Sequence, residues 1–551
     1  MLTTFYLKLE TGGIFIIMKN KKLLWLVSLL AMLTFVLAAC AGDGESESKS
    51  EGEGSGEEDS GSGGDLVIAL PSDVVSLSPH GTNDIPSGQV ADNIYETLTV
   101  LDENQEPQPS LAKEWKEVDE TTWEFQLQEG VKFHDGEALT AEAVKKNFDR
   151  LVDEKIASPR AFLFEAVESV EAKDDLTLVI KLKYPYAPLL ANLAHSGTAI
   201  MSPKIIDEDY AQMEDGGDAD AYINKNPIGT GPFKLDEWKA GEEVVISRND
   251  DYWGDKAKLD TAKFKVVTEQ SARVAELETS VAHVADQIGP NNISRVEGMD
   301  GASVVQEPST SLSYVGFNAQ KEPFDDKKVR QAVSMAINKE EIISGVYNNV
   351  GIPAKGPLAP PVFGYDENVA GLEFDVEKAK ELLAEAGYED GFKTTIWTND
   401  NEQRVDTAVT IQNQLKEIGV EVEIEELEWG AFLDRTANGE HDMYVLGWST
   451  STGDADYGMY PLFHSSALGE TGNRSFLENE ELDKILDEAR RETDPEVRKE
   501  LYSEAQEMLV DLAPMIYTHH QEYLLGVSDK VKGFGVDAQG IYQIKQAYIE
   551  E

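Results

Sequence analysis

The sequence predicts an α/β fold with more than one sheet, and three observations support that class. Short runs rich in β-branched and aromatic residues alternate with amphipathic helical patterns from Asp65 to the carboxyl end. Of the 551 residues, 41% are hydrophobic, which is enough to bury a large core. After the amino-terminal region the chain has no long apolar segment and no internal repeat. Such alternation is typical of α/β bodies, although two unrelated domains in series would show the same periodicity.

The strands of the first half are predicted from apolar runs and from alternation. Residues 66–70 form an uninterrupted apolar run, which indicates a buried strand. Residues 123–127 alternate between apolar and polar side chains, as a half-buried strand does. The other strands expected here are 176–182, 244–247, 264–267 and 312–317.

Helices are predicted from apolar residues at helical spacing. A first helix is expected over 90–98, and Thr140 is in position to cap a second, whose apolar face carries Val144, Phe148 and Leu151. The second half repeats the alternation. Its expected elements are helices over 326–337, 376–386 and 406–418, and strands over 392–397 and 420–427.

The amino end has the pattern of an export signal. Basic residues at 19–22 precede an apolar run over 23–36, and Leu37-Ala38-Ala39-Cys40 then resembles the bacterial lipobox. This interpretation makes residues 1–39 a signal peptide, with Met18 as the natural start, and makes Cys40 the lipidated amino terminus of the mature chain. A transmembrane anchor is the alternative, but the run has only about 17 apolar positions, which is marginal for a bilayer span.

Residues 40–64 are predicted to be a flexible tether. After Cys40 the stretch 41–64 contains eight Gly, six Ser and eight acidic residues, so it has nothing with which to form a core. A lipid anchor followed by such a tether places the folded body at the extracytoplasmic face of a Gram-positive type of cell membrane.

Charge and cysteine content exclude several classes of protein. The chain carries 48 Lys and Arg against 103 Asp and Glu, for a formal net charge of -55, which disfavours nucleic acid and anionic membrane surfaces as partners. The single cysteine excludes intrachain disulfides, CxxC redox chemistry and a thiolate zinc site.

The search for catalytic signatures finds none of the common ones. G-x-S-x-G, H-E-x-x-H and P-loop patterns are absent. The eight histidines are scattered, and the adjacent pair His519 and His520 would point to opposite faces of a strand, which makes a poor chelate. We therefore expect no enzyme activity, no cofactor and no metal site, with an extracytoplasmic hydrolase as the remote alternative.

Several ordered sequence blocks resemble one family. These blocks are Leu111-Ala112-Lys113-Glu114-Trp115, the run 129–136 with Thr140-Ala141-Glu142, the run 226–233, the run 248–253 and Val329-Arg330-Gln331-Ala332. Together they resemble the family 5 solute-binding proteins, the receptors of peptide and nickel ABC importers. The similarity covers nearly everything from Asp65 onward.

The resemblance implies a two-lobed periplasmic-binding-protein-like fold of class II type, joined by a two-segment hinge. Lobe I would span 65–310 with an extra subdomain, lobe II would span 311–517, and 518–551 would return to lobe I. Such a receptor, expected as a monomer, would close on a peptide, with glutathione as one candidate, and deliver it to a membrane permease. A haem or nickel-chelate receptor of the same family is the alternative.

The resemblance also implies two anchors for a peptide. Arg404 lies where the family carries its carboxylate-binding arginine, although a surface arginine at a helix start is the alternative. The family's amine-binding aspartate would lie three residues after Trp448, where this chain has Ser451. The pattern resembles the branch that includes glutathione-binding receptors, so a shifted anchor is expected.

The remaining predicted site residues lie around these anchors. In the shifted arrangement Asp454 or Asp456 would meet the amine and Ser449 or Ser451 a carboxylate. Gly447 belongs to the same segment, and Trp448 would wall the cleft unless it is a buried strand-end residue. From lobe I the resemblance places three residues in a loop that faces the cleft, namely Asn83, Asp84 and Ser87.

Overall fold

The computed structural model of the protein describes residues 63–82, 84–469 and 472–550. The predicted signal peptide, Cys40 and nearly all of the tether lie outside the described residues. The strands are β1 (Asp65–Leu70), β2 (Thr99–Leu101), β3 (Pro107–Pro109), β4 (Ala112–Asp119), β5 (Thr122–Leu127), β6 (Val167–Ala172), β7 (Thr177–Leu182), β8 (Phe233–Lys239), β9 (Glu243–Arg248), β10 (Thr261–Val266), β11 (Val284–Ala285), β12 (Ala302–Phe317), β13 (Ile352–Pro353), β14 (Lys393–Asn399), β15 (Glu421–Leu427), β16 (Met443–Ser449), β17 (Met515–Ser528), β18 (Val531–Lys532), β19 (Gly535–Val536), β20 (Tyr542–Gln543) and β21 (Tyr548–Ile549).

The α-helices are distributed along the whole described chain. They are α1 (Ile85–Ala91), α2 (Ala141–Leu151), α3 (Leu189–Asn192), α4 (Pro203–Glu214), α5 (Gln270–Glu278), α6 (Ile293–Glu297), α7 (Lys327–Met335), α8 (Lys339–Gly345), α9 (Val376–Glu385), α10 (Glu402–Leu415), α11 (Trp429–Ala437), α12 (Ala455–Phe463), α13 (Glu480–Arg491) and α14 (Pro495–Leu512). Among the described residues, none of these helices combines the length and apolarity that crossing a bilayer requires.

Most strands join one long mixed sheet, whose order is β15-β14-β16-β12-β17-β11-β1-β10-β9-β8. At one end β14 runs parallel to β15 and β16, and at the other β1 runs parallel to β10 and β11. The long antiparallel strands β12 and β17 join these two halves. A separate antiparallel sheet, β4-β5-β7-β6, forms a subdomain within the first half. The α/β class and the two-lobed fold predicted from the sequence are confirmed.

Each half of the sheet has its own hydrophobic core. In the first lobe, strands β1, β8, β9 and β10 pack with residues of the carboxyl-terminal segment, including Tyr542 and Ile544. The subdomain buries a further core around Phe125, Phe148 and Leu178. In the second lobe, separate clusters cover the two faces of the sheet formed by β12, β14 and β16. The carboxyl-terminal segment therefore packs against residues from the beginning of the chain.

The predicted elements of the second half match the structure within a few residues, and one helix of the first half is misplaced. The predicted helix over 90–98 is wrong, because the helix here is α1, which ends at Ala91. Asp84 caps it by accepting a hydrogen bond from the Ser87 backbone N–H, and Pro86 lies in its first turn. Asp92 follows as the carboxyl cap. The apolar residues after it are buried in irregular structure.

The two long strands lose their regular register at two neighbouring places. The β12–β17 ladder shifts between Pro308 and Leu312 and again between Ser313 and Tyr314, next to the predicted lobe boundary after residue 310. An irregularity in a strand that links two halves is a natural place for a bend. The lobe boundaries at residues 310 and 517, and the hinge itself, stay proposals.

Candidate functional site

A cleft of about 1420 Å³ lies where the two lobes face each other. First-lobe residues on its walls include Asp92, Arg160 and His195, and the second lobe contributes Trp448 and Ser451. The lining is rich in charged and polar groups, so the cleft is suited to a polar ligand with several hydrogen-bonding groups.

Strand β16 carries the predicted Gly-Trp-Ser segment to the cleft. Gly447, Trp448 and Ser449, its last three residues, all line the cavity. The Trp448 indole N–H donates to the Tyr457 carbonyl oxygen at 3.0 Å, which fixes the ring against the start of α12. The structure thus places these three predicted residues on the cleft wall.

The turn after β16 depends on Gly453. Its φ is +69°, and a Cβ there would lie 2.1 Å from Gln105 Oε1 of the first lobe. Only glycine fits a positive φ with such a close approach at low cost. This turn brings Ser451 opposite His195, whose Nε2 lies 3.1 Å from the Ser451 hydroxyl oxygen. The tight turn therefore places residues of the two lobes in contact at the cleft.

Asp454 and Asp456 do not offer free carboxylates. Arg498 donates to both oxygens of Asp454, at 2.7 and 2.6 Å, and Arg490 donates to both oxygens of Asp456, at 3.0 Å each. All four side chains are buried. Although burial opposes it, the attraction within each ion pair holds the pKa of its arginine above the ordinary value. Because each carboxylate is already neutralised and enclosed, we correct the prediction that one of them meets a ligand amine.

Arg404 lies on the second lobe, in the first turn of α10, and does not line the 1420 Å³ cavity. Its Nη1 donates to Asn399 Oδ1 at 3.0 Å, and its guanidinium carbon lies 5.3 Å from the centre of the Trp429 ring. Burial lowers its pKa, and the neighbouring tyrosines Tyr347 and Tyr314 oppose that shift. No carboxylate among the described residues lies within ion-pair distance of it.

The predicted first-lobe residues differ in their placement. Asp84 lines the cleft, but its carboxylate also caps α1. Ser87 is 1% exposed and its hydroxyl oxygen accepts from the backbone N–H groups of Val75 and Ser76, at 2.9 and 3.2 Å. We therefore correct Ser87 from a cleft residue to one that holds the loop after β1. Asn83 lies outside the described residues.

Several charged residues of the cleft were not predicted from the sequence, among them Arg160, Asp92 and Asp537. Arg160 follows α2, Asp92 ends α1, and Asp537 lies in a turn near the carboxyl end. Burial raises the pKa of Asp92 to about 8, with a further rise from Asp537 that Arg160 opposes. Burial likewise raises the pKa of Asp537. In so acidic a chain no local pattern distinguishes these residues, because they converge only in the folded protein.

The fold and the cleft define a two-lobed substrate-binding protein. Residues 106–470 match the family described as bacterial extracellular solute-binding proteins, family 5 Middle. This match spans well over half of the chain. The protein therefore belongs to the family 5 bacterial extracellular solute-binding proteins.

Named relatives and a solved structure agree with this assignment. The dipeptide-binding protein of Escherichia coli K12 is 33% identical over 467 residues, which cover 80% of this chain and 86% of the relative. The glutathione-binding protein GsiB of Pectobacterium atrosepticum is 33% identical over 499 residues, covering 88% and 94%. The periplasmic binding protein DppA of Helicobacter pylori, solved with the peptide STSA, has a TM-score of 0.76 and 32% identity, covering 89% and 99%.

Proposed function

We propose that this protein is the extracytoplasmic, lipid-anchored receptor of an ABC importer. It binds peptides between its lobes and delivers them to a membrane permease, without performing chemistry. The observation that carries the proposal is the polar cleft of about 1420 Å³ between the lobes, with Arg160 on its wall. Arg404 lies on the second lobe, outside the lining of this cavity. Relatives named for dipeptides and glutathione support the ligand class, and glutathione is the particular candidate.

Arg160 and Arg404 can each bind the carboxylate of a peptide because no carboxylate in the described part of the chain neutralises their positive charges. Neither guanidinium has a carboxylate within ion-pair distance among the described residues, although the chain holds 103 acidic residues. A partly buried guanidinium without a counter-ion is favourably placed to accept a ligand carboxylate through two parallel hydrogen bonds. Every peptide offers such a carboxylate.

The direct test is to identify the ligand that the protein carries. We expect mass spectrometry of small molecules released from purified, denatured protein to find peptides. After refolding without ligand, titration calorimetry with a peptide panel should give saturable binding. Protein that ignores every peptide but binds haem or a nickel chelate would overturn the proposal in favour of the alternative from the sequence.

Arg404→Gln is expected to weaken peptide binding by about tenfold to a hundredfold, the effect of losing one charge-assisted bidentate interaction. Arg295→Gln is the matched control, because Arg295 is an exposed arginine paired with Glu278 at 2.6 Å. Calorimetric titration of the same peptide with both variants gives the comparison. Unchanged affinity in Arg404→Gln, with Arg295→Gln also unchanged, would remove Arg404 from the binding site.

Cys40→Ala is expected to release the protein from cells. Without the thiol no lipid can be attached, and an exported chain with no anchor should appear in the medium instead of the membrane fraction. Fractionation with immunodetection in the producing bacterium measures this. Retention of the variant in the membrane fraction would favour the alternative of a transmembrane anchor.

A further inference from the structure

One corner of the cleft holds a buried guanidinium whose hydrogen-bonding capacity is largely unused. Arg160 is 9% exposed and lines the cavity. Its Nε donates to the Thr82 carbonyl oxygen at 2.9 Å, and its Nη1 lies 3.2 Å from His195 Nε2. Within the described part of the chain, its Nη2 has no partner.

The contact between Arg160 and His195 is not an effective hydrogen bond. Burial, reinforced by the Arg160 charge, holds the pKa of His195 well below its ordinary value, so the ring is neutral. Its Nδ1 accepts from the Gly197 backbone N–H at 2.9 Å, which assigns the single ring proton to Nε2. That proton is donated to the Ser451 hydroxyl. Among the described residues, both terminal nitrogens of Arg160 are therefore left without an effective acceptor.

Two carboxylates lie in the same corner. Asp537 Oδ1 accepts from the backbone N–H groups of Gln539 and Ile541, at 3.0 and 2.9 Å, and Gln543 donates to its Oδ2 at 3.1 Å. Asp92 has no side-chain hydrogen bond and no ion pair among the described residues, and it lines the cavity with Asp537. These carboxylates and Arg160 are close enough to influence one another electrostatically. The corner thus presents separate partners for one positive and one negative group.

We propose that this corner binds a zwitterionic α-amino-acid head group, with the ligand carboxylate on Arg160 and the ligand ammonium on Asp92 and Asp537. This inference rests on the proposed function and narrows its substrate class. An α-linked peptide carries its ammonium and carboxylate at opposite ends. A γ-linked glutamyl peptide carries both on one carbon atom, so γ-glutamyl peptides are the class that fits.

The test compares two isomers with the same atoms. Titration calorimetry at pH 7, on ligand-free protein under reducing conditions, would use γ-Glu-Cys-Gly and α-Glu-Cys-Gly. We expect the γ-linked isomer to bind about 30-fold more tightly, which is the usual effect of one additional charge-assisted hydrogen bond. The N-acetylated γ-linked peptide, which lacks the ammonium, should lose this advantage.

Two cleft variants test which residues bind the ligand carboxylate and the ligand ammonium. Arg160→Gln and Asp92→Asn should each reduce the preference for the γ-linked isomer to about threefold or less, since each removes one of the two charged partners. Glu106→Gln is the control, because Glu106 is an exposed carboxylate near the same region and does not line the cavity. Circular dichroism of each variant confirms that it is folded. A preference that survives in both cleft variants overturns the proposal.

Proton release gives a second, independent measurement. The charged groups that act on Asp92 are Asp537 and Arg160, while nearby Glu96 is already bonded to Thr230, Tyr252 and Trp253. With a pKa of about 8, Asp92 is largely protonated at pH 7, and an incoming ammonium should expel that proton. Affinity should therefore rise as the pH increases from 6 to 8. Titrations in buffers of different ionisation enthalpy should show release of about one proton, and none in Asp92→Asn.

The outcomes separate this inference from the proposed function. Equal affinity for the two isomers, with clear binding of both, overturns the head-group site and leaves the peptide receptor intact. Failure of both isomers and of every peptide in the panel overturns the two together. Preference for the γ-linked isomer that depends on Arg160 and Asp92 supports both.

Discussion

Asp454→Asn is expected to lower the free energy of unfolding by about 3–5 kcal/mol, because it breaks a buried ion pair and leaves one partner charged. Arg498 is 5% exposed and places two nitrogens on the Asp454 carboxylate, at 2.7 and 2.6 Å. Asparagine can still cap α12, since Asn and Asp are equally good in that position. The loss therefore reports the ion pair and not the helix cap.

Urea unfolding followed by circular dichroism measures the change. Glu488→Gln is the control, because Glu488 is an exposed partner of Lys484 at 3.6 Å and such surface pairs contribute about 0–1 kcal/mol. If Asp454→Asn unfolds like the unmodified protein but no longer binds peptide, Asp454 binds the ligand and is not a purely structural carboxylate. The experiment thus distinguishes a structural carboxylate from a binding one.

Most of the secondary structure follows from local pattern. The run 66–70, the cap at Thr140 and the alternating strand over 420–427 are each determined by neighbours in sequence, and the structure contains all three. The misplaced helix over 90–98 shows the limit. Its apolar residues are buried by the first-lobe core, so their burial reflects tertiary contacts, while Asp84 and Pro86 set the true helix start.

The site was less predictable, because its charges are set by distant partners. The sequence places Gly447, Trp448 and Ser449 at the end of a strand, and that strand does reach the cleft. It gives no sign that Asp454 and Asp456 are neutralised by arginines of α13 and α14. Nor can it show that Asp92 and Asp537, from opposite ends of the chain, line one cavity. The net charge of -55 makes any single acidic residue uninformative.

The high net negative charge of the chain makes arginines without a carboxylate partner, such as Arg160 and Arg404, informative about ligand binding. Most cationic side chains of the described residues are matched by a carboxylate, at the surface or, as for Arg150 with Asp209 at 2.7 Å, in the interior. Among the described residues Arg160 and Arg404 lack such a partner. Arg273 and Arg330 lack one too, but their donors are taken by backbone carbonyl oxygens, whereas Arg160 and Arg404 keep donors free. In a protein with so many carboxylates, a guanidinium kept free of them is consistent with selection for an external anion.

Asp456→Asn is expected to destabilise the protein by about 3 kcal/mol and also to weaken ligand binding, because removing the negative charge leaves a buried arginine poorly compensated. Arg490 donates to both oxygens of Asp456 and stacks over Tyr460, with its guanidinium carbon 3.5 Å from the ring centre. Urea unfolding measures the first effect and calorimetric titration the second.

The binding effect arises because Asp456 also receives a hydrogen bond from the other lobe. Tyr186 of the first-lobe subdomain donates its hydroxyl to Asp456 Oδ2 at 3.2 Å, and the Ala187 backbone N–H donates to the Arg490 carbonyl oxygen at 2.9 Å. In the proposed closing motion, these hydrogen bonds form only when the lobes approach each other. The free energy of each hydrogen bond therefore stabilises the closed form relative to the open one. Ligand affinity increases with the fraction of molecules in the closed form.

Tyr186→Phe separates the two effects, because it keeps the Asp456–Arg490 ion pair and removes only the two hydrogen bonds of the Tyr186 hydroxyl. One is donated to Asp456 of the other lobe, and the other is accepted from Asn192 within the subdomain, each at 3.2 Å. We expect little change in unfolding free energy, since the Asp456–Arg490 pair stays intact. We expect a decrease in ligand affinity of about fivefold, equivalent to one hydrogen bond of about 1 kcal/mol. If Tyr186→Phe leaves ligand affinity unchanged while Asp456→Asn reduces it, the hydrogen bond from Tyr186 does not control closure. The ion pair then acts only within its own lobe. If both variants reduce the affinity to a similar extent, this hydrogen bond determines affinity although neither of its residues contacts the ligand.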